Sequence, residues 1–87
     1  MIKEKAIIKN KTGIHARPAS VFVQTTSKCK SSVKILYNGK LIEGKSILNI
    51  MAAAIKCGSE IEIQCDGETE QEDMQKILDV INNGLGE

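Results

Sequence analysis

The stretch VKILYNGKLIE, residues 33–43, is the strongest local signal for the fold. Its first half alternates apolar and other side chains, which is typical of a strand with one buried face, formed here by Val33, Ile35 and Tyr37. The pair Asn38-Gly39 is a preferred two-residue hairpin turn, because both residue types tolerate positive φ. Lys40 to Glu43 then returns as a short strand. The stretch therefore predicts a β-hairpin.

Upstream of the hairpin, the pattern predicts a strand and then a helix. The strand starts the chain, and its buried face comprises Ile2, Ala6 and Ile8. After a turn at residues 11–13, apolar residues recur at helical spacing from Ala16 onward. The apolar stripe of this predicted helix comprises Ala16, Ala19, Phe22, Val23 and Thr26.

Downstream, the pattern predicts a short helix, a fourth strand and a third helix. Ser46 is a natural N-cap for a helix through about Lys56, which Gly58 ends. Alternation over residues 60–65 predicts a strand, and a turn at residues 66–67 follows it. Thr69 and Glu72 have capping-box spacing, and Gly84 closes the third helix. The buried residues predicted here are Ile61, Ile63 and Cys65 in the strand and Met74, Ile77, Leu78 and Ile81 in the helix.

The element order is thus βαββαβα, with no linker, repeat or low-complexity stretch. Three helices with one apolar stripe each, and a sheet with one apolar face, imply two layers with the helices on one side. At 87 residues the chain is one domain, residues 1–87, since two halves would each have too little interior.

Composition narrows the class of protein. With 41% hydrophobic and 26% charged residues, the chain is an ordinary globular protein and not a disordered, collagenous or coiled-coil one. No apolar run approaches the roughly 20 residues that span a bilayer, and the start lacks a signal-peptide core. We therefore expect a cytoplasmic protein without membrane insertion. Cys29, Cys57 and Cys65 form no Cys-x-x-Cys pair, so we expect reduced, mostly buried thiols and no metal site.

The net charge of +1 hides an asymmetry along the chain. Residues 1–45 carry ten Lys and Arg against two acids, a balance of +8, and residues 46–87 carry two Lys against nine acids, a balance of −7. Two interpretations stay open: solvated faces without further meaning, or a charge dipole that orients the domain on an acidic partner. A nucleic-acid partner is less well supported, because Phe22 and Tyr37 are the only aromatic residues available for stacking.

The stretch Gly13-Ile14-His15-Ala16-Arg17-Pro18-Ala19-Ser20 contains the only histidine and predicts a helix N-terminus. His15 occupies the N-cap, and the next two residues contribute free amides. Pro18 fits the first turn, where its missing N–H costs nothing. The amides, the positive helix end and the Arg17 guanidinium together favour an anion carried on or beside the imidazole.

Other interpretations of this histidine are weaker but open. A histidine before a helix is often a tolerated surface residue, although Arg17 and Pro18 at these spacings argue against that here. No serine or cysteine pairs with His15 in a recognisable nucleophile motif, and no second histidine exists to share a metal. Hydrolysis and metal chemistry are therefore poorly supported.

The stretch from Gly13 to Ser20 resembles the active-site signature of the HPr family, the histidine-containing phosphocarriers of the bacterial phosphoenolpyruvate:sugar phosphotransferase system. A second stretch, Gly44-Lys45-Ser46-Ile47-Leu48-Asn49-Ile50-Met51, resembles the regulatory serine segment of family members of the Gram-positive type. Length, element order and the distance between the two stretches match as well. The resemblance therefore covers the whole chain.

The resemblance implies an α+β open-faced β-sandwich, with a four-stranded antiparallel sheet covered on one face by three helices. His15 would accept phosphate at Nδ1 from phosphorylated enzyme I and pass it to sugar-specific A-type transport domains, and Arg17 would neutralise the phosphate. Ser46 would be phosphorylated by an HPr kinase/phosphorylase, and that form would bind a catabolite-control repressor. The protein would be a monomeric carrier and not an enzyme, with no cofactor and no direct contact with nucleic acid. The alternative is a regulatory module that acts mainly as a catabolite corepressor.

Two departures from the family pattern lie in the second stretch. Ala52-Ala53-Ala54 replaces a segment that usually resembles Ser-Leu-Gly, and Asn49 replaces a common small residue. Neither touches the phosphate acceptor. The kinase and repressor interactions, which use this helix, are the ones these residues affect.

Apolar residues follow Ser46 in larger number than one short helix needs for packing. Ile47, Leu48 and Met51 could supply an exposed patch beside His15, which we expect partners to contact together with Ser20 and Gln24. A phosphate on Ser46 would place about two negative charges at the rim of this patch and repel an acidic partner without a change of shape. Taken without the resemblance, Ser46 is a plain helix cap.

Overall fold

The computed structural model describes residues 1–86, and its elements follow the predicted order βαββαβα. The strands are β1 (Ile2–Ile7), β2 (Ser32–Tyr37), β3 (Lys40–Glu43) and β4 (Glu60–Asp66). The helices are α1 (Ala16–Ser27), α2 (Ile47–Ala52) and α3 (Glu70–Asn82).

All strand pairs are antiparallel, and the spatial order is β1-β4-β2-β3. The predicted hairpin joins β2 and β3 in the register Tyr37↔Lys40 to Lys34↔Glu43. Asn38 and Gly39 have φ of 51° and 77°, the positive values that a type I′ turn requires. One face of the sheet packs against the helices and the other is open, which confirms the expected open-faced β-sandwich.

The core forms where the apolar face of the sheet meets the helices. The residues predicted to be buried in the strands are buried, except Ile2 and Tyr37, which are only half-buried. In α3, Met74, Ile77 and Ile81 are buried as predicted, and Leu78 is half-buried. In α1 the buried residues are Pro18, Ala19, Phe22 and Thr26. Ala16 is exposed, contrary to the predicted stripe, because the helix begins there and contact with the core starts two residues later.

The second helix is shorter than predicted. It ends at Ala52, not near Lys56, and Gly58 lies in a later turn. Ala54 adopts a left-handed conformation (φ 53°), which reverses the chain direction. Ile55 is then buried, and its carbonyl oxygen accepts a hydrogen bond from the Ile14 amide at 2.8 Å. A contact with a distant segment thus replaces the last turn of the helix.

The predicted capping box at the start of α3 is wrong, although the position of the helix is right. The Thr69 side chain makes no cap hydrogen bond; its hydroxyl donates instead to the Asp73 carboxylate at 2.8 Å. Glu72 is exposed, and the carboxylate of Glu70 accepts the Gly67 amide at 3.1 Å. At the other end, Gly84 closes the helix as predicted, with φ 83°.

The three cysteines are free thiols, with Cys29 and Cys65 buried and Cys57 exposed. Burial raises the pKa of the Cys65 thiol to about 11, so this thiol is a poor nucleophile at neutral pH. Within residues 1–86, no helix has the length and apolar character needed to cross a membrane.

Candidate phosphate-acceptor site

His15 is the N-cap residue of α1, as predicted. Its backbone is extended (φ −117°, ψ −152°), and its exposed side chain makes no capping hydrogen bond. The His15 carbonyl oxygen accepts the first helical hydrogen bond, which Ala19 donates at 2.8 Å. The imidazole is therefore presented to solvent at the start of the helix.

The N-terminus of α1 is left open to an anion. The amides of Ala16 and Arg17 lie ahead of the first helical hydrogen bond and have no intrahelical acceptor, and Pro18 has no N–H. The first turn contains no acidic residue. The exposed Arg17 forms no ion pair with any residue in the range 1–86. Two amides, the positive helix end and the Arg17 side chain thus belong to the helical turn that directly follows His15.

The backbone that precedes His15 is held by Ile55, in the segment that follows α2. Gly13 has φ 70°, and a Cβ built on it would lie 2.5 Å from the carbonyl oxygen of Ile55. Ile14 is buried and donates its amide to that same oxygen. The sequence predicted a turn at Gly13 but not its partner. Since the acceptor is a main-chain atom, no side-chain signal could have revealed Ile55.

Ser46 is the N-cap of α2, as predicted. Its hydroxyl oxygen accepts a hydrogen bond from the Asn49 amide at 3.2 Å, and its own amide donates to the Glu43 carbonyl oxygen at 3.2 Å. The side chain is half-buried. The turn before it is anchored to the end of α1, because the Thr26 hydroxyl donates to the Gly44 carbonyl oxygen at 2.7 Å.

His15 and Ser46 lie at opposite ends of one helical layer. The bond from Ile14 to Ile55 joins the start of α1 to the segment after α2, and the bond from Thr26 to Gly44 joins the end of α1 to the turn before α2. The two helices are therefore antiparallel neighbours. The twelve residues of α1, at about 1.5 Å per residue, give this helix a length of about 18 Å.

Between these ends, α2 exposes the three apolar residues that the sequence indicated. Leu48 is 76% exposed, and Ile47 and Met51 are each 41% exposed; we call these three the apolar patch. Ile50 alone in this helix is buried. On the neighbouring α1, Ser20 is half-buried and Gln24 is exposed, and Gln24 also lines a groove between α1 and α3.

Among the described residues, no cluster of three or more His, Cys, Asp or Glu is arranged to hold a metal ion. His15 stands apart from the three cysteines and has no carboxylate in the first turn of its helix. The helical turn that follows it, with its amides and Arg17, suits an anion and not a cation.

Known proteins resemble this chain over all or nearly all of its length. Residues 2–83 match the family described as "PTS HPr component phosphorylation site". The chain is 49% identical over 77 residues to phosphocarrier protein HPr of Mycoplasma capricolum, which covers 88% of this chain and 86% of that one. HPr-C-His from Thermoanaerobacter tengcongensis superposes with a TM-score of 0.95 at 38% identity, over 100% of this chain and 98% of the other. Crh, the catabolite repression containing protein of Bacillus subtilis, matches with a TM-score of 0.77 at 34% identity, over 97% of each chain.

Proposed function

Because this chain belongs to the HPr family of phosphocarriers of the phosphotransferase system, we propose that His15 is the residue on which it carries phosphate. The family makes the protein a carrier and not an enzyme. One observation supports the residue assignment: an exposed imidazole at a helix N-terminus whose first turn contains no acid and includes Arg17, which forms no ion pair within residues 1–86.

In the proposed transfer, the lone pair of the neutral His15 Nδ1 attacks the phosphorus of phosphorylated enzyme I. The bond between phosphorus and enzyme I breaks, and its electron pair stays with enzyme I. The proton on Nε2 remains, so the ring gains a positive charge while the phosphoryl group keeps its negative charge. Transfer to a sugar-specific A-type domain repeats the step, with His15 as the leaving group.

The residues around His15 stabilise the phosphoryl oxygens. The helix terminus favours an anion by about 0.3–1 kcal/mol at an exposed position. The Arg17 guanidinium adds donors in a planar fork that fits phosphate oxygens. The helix backbone fixes the amides before the phosphoryl group arrives, so they reorganise little during transfer. Because His15 is exposed, enzyme I and the A-type domains can approach the same face in turn.

The substitution His15→Ala tests the assignment. We expect it to abolish labelling by phosphoenolpyruvate and enzyme I, because no other histidine exists. The variant should still fold, since an N-cap change costs about 1 kcal/mol. Labelling is measured as acid-labile, base-stable phosphate, and folding by circular dichroism. An acid-labile phosphate on the variant would show that the acceptor lies elsewhere.

We also propose that Ser46 is a regulatory phosphorylation site whose phosphate acts through the apolar patch. His15 and Ser46 lie toward opposite ends of α1, whose length of about 18 Å exceeds the Debye length of about 8 Å at physiological salt. Its charge would therefore act on a partner seated on the patch and not on His15 itself. The corresponding partners are an HPr kinase/phosphorylase and a catabolite-control repressor, and all these encounters would take place in the cytoplasm.

Ser46→Asp mimics part of that charge. Aspartate is a good N-cap, so stability should stay at or slightly above the wild-type value. The rate of transfer from enzyme I should fall roughly 5- to 10-fold at low ionic strength and recover as salt screens the repulsion. Gln71→Glu is the matched control, because Gln71 is exposed near the start of α3, where an added carboxylate also complements the helix end. A defect that does not change with salt would contradict the electrostatic mechanism.

The similarity to Crh favours one alternative, a regulatory module that acts mainly as a catabolite corepressor. The two functions require phosphorylation of different residues. A carrier is phosphorylated on His15 by enzyme I, whereas a corepressor needs only Ser46 and its kinase. Phosphorylation of Ser46 by the kinase, with no labelling of His15 by enzyme I, would favour the alternative.

A further inference from the structure

Asn10 lies in the connection between β1 and α1 and is only 5% exposed. Its side-chain amide, Nδ2, donates a hydrogen bond to the carbonyl oxygen of Gly13. In the other direction, the Gly13 amide donates to the Asn10 carbonyl oxygen at 3.1 Å. Asn10 and Gly13 thus close the turn that leads into the phosphate-acceptor site.

The bond to the Gly13 carbonyl completes the restraint of a single peptide group. The peptide between Gly13 and Ile14 has its oxygen held by Asn10 Nδ2 and its N–H held by the Ile55 carbonyl oxygen at 2.8 Å. Glycine at position 13 would otherwise let this peptide rotate, because glycine has wide conformational freedom. The next peptide along the chain carries His15.

The two polar atoms of the Asn10 side chain differ in their hydrogen bonding. Oδ1 of Asn10 is buried and has no hydrogen-bond partner within residues 1–86. A buried acceptor without a partner is destabilising, and an apolar side chain at this position would avoid the cost. The amide of Asn10 therefore contributes more to the geometry of the turn than to stability, which is typical of residues that support a functional site.

We propose that Asn10 is a positioning residue for phosphoryl transfer, which orients His15 through the Gly13–Ile14 peptide. The inference rests on the proposed role of His15. By fixing this peptide, Asn10 sets the direction from which the imidazole leaves the backbone, and hence the position of Nδ1 relative to the free amides of Ala16 and Arg17. Transfer in line with the bond that breaks is sensitive to displacements of about 1 Å.

Asn10→Ala tests the inference because it removes the donor and the unpartnered acceptor together. We expect the maximal rate of phosphoryl transfer to fall about 10- to 100-fold. The half-saturating concentration of enzyme I should not change, since the apolar patch is untouched. The melting temperature should stay close to that of the wild type, and the amide resonances of Ala16 and Arg17 should shift.

Two further variants sharpen the test. Asn10→Asp has the same shape but no proton to donate at neutral pH, so its transfer should be at least as slow as that of Asn10→Ala. Asn82→Ala is the matched control, because Asn82 is an exposed amide residue that lines the same surface cleft as Asn10. It should transfer phosphate at the wild-type rate.

Each other outcome is decisive. A wild-type rate for Asn10→Ala would overturn the inference, and so would loss of folding or a rate that falls only in proportion to the folded fraction. A change confined to the half-saturating concentration would assign Asn10 to docking instead. The wild-type protein in the same assay separates the two proposals. If the wild type is not labelled on His15, the carrier assignment fails; if it is labelled and Asn10→Ala matches it, only the role of Asn10 fails.

Discussion

Single residues decide which helix N-terminus can receive an anion. The first turn of α3 contains Glu70, Glu72 and Asp73, whose carboxylates already complement the positive helix end. The first turn of α1 contains no acid, and its only charged residue is Arg17. The same backbone feature is thus neutralised in one helix and left available in the other.

Asp73 illustrates how one buried carboxylate joins distant segments. It accepts hydrogen bonds from the Ser31 hydroxyl at 2.6 Å, the Ser31 amide at 3.1 Å and the Thr69 hydroxyl at 2.8 Å. Burial raises the pKa of Asp73, but these hydrogen bonds outweigh burial and hold the pKa below its ordinary value of 3.8. Since the folded state binds the proton less tightly, the ionised carboxylate stabilises the fold at neutral pH.

From this pKa shift we predict a specific acid sensitivity. The stabilisation from Asp73 is complete well above pH 3.8 and is lost as pH falls through the lower folded-state pKa. Asp73→Asn keeps an acceptor oxygen without the charge, so it should lower the free energy of unfolding by about 1–2 kcal/mol at neutral pH. The difference between variant and wild type should shrink as pH falls below 3.8.

Urea unfolding at neutral and acid pH measures this difference. Asp79→Asn, on the exposed side of the same helix, controls for the loss of a negative charge. If wild type and Asp73→Asn differ by the same amount at both pH values, the charge of Asp73 does not contribute as described.

At the scale of elements, α2 is short because of two residues that follow its end. Ala54 and Ile55 turn away from the helix axis so that the Ile55 carbonyl oxygen can accept the Ile14 amide. Two of the three alanines that depart from the family pattern, Ala52 and Ala53, line a groove between α2 and the β2–β3 hairpin. This segment therefore links the apolar patch to the backbone that supports His15.

Ala54→Gly should stabilise the protein by roughly 0.5–1 kcal/mol, because alanine is strained at positive φ and glycine is not. For a domain of this size, that corresponds to an increase in melting temperature of about 2–8 °C. Ala52→Gly, at the exposed last position of α2, is the matched control with the opposite sign, since glycine weakens a helix by up to about 1 kcal/mol. Equal effects of the two substitutions would contradict this account of the turn.

At the scale of the whole molecule, the helical side and the open side of the sheet expose different kinds of residues. The helical face carries His15 and the apolar patch. The open face of the sheet carries charged residues, including the ion pairs Lys5–Glu60 at 3.8 Å and Lys34–Glu43 at 2.5 Å. Exposed leucines occur on both faces: Leu48 on α2, and Leu41, which pairs with Leu36 on the open side.

These two leucines allow a matched test of where partners dock. Leu48→Ser should weaken the association with enzyme I about 10-fold, a loss of about 1.4 kcal/mol, because the side chain would be buried at the interface. Leu41→Ser should leave the affinity unchanged. Both side chains are exposed, so neither change should alter the melting temperature appreciably. Titration calorimetry measures both affinities, and an equal loss for the two variants would remove the helical face as the docking surface.

The fold interleaves strands of the basic first half with a strand of the acidic second half. The basic first half and the acidic second half do not form two separate poles in the sheet, because β4 lies between β1 and β2. Lys5 reaches Glu60, and the chain's N-terminus reaches Asp66 at 3.6 Å and Glu70 at 3.3 Å. At these positions, basic groups of the first half contact acids of the second half.

The features that the sequence determined by itself are local. The alternation of apolar residues, the Asn38-Gly39 turn and the Ser46 cap each depend on neighbours within a few residues, so they could be read directly. The same holds for the placement of His15 and Arg17 at the start of a helix. The element order and the layered fold result from these local signals, since each apolar face must be buried against another.

The features that only the tertiary structure decided involve contacts between distant segments. The early end of α2, the use of Thr69 to bind Asp73 and the double restraint of the Gly13–Ile14 peptide could not be predicted from the sequence. Each depends on a hydrogen bond whose partner is a backbone atom or a side chain made adjacent by the fold. Such bonds outweigh local propensity because a buried polar group without a partner costs more than a lost turn of helix.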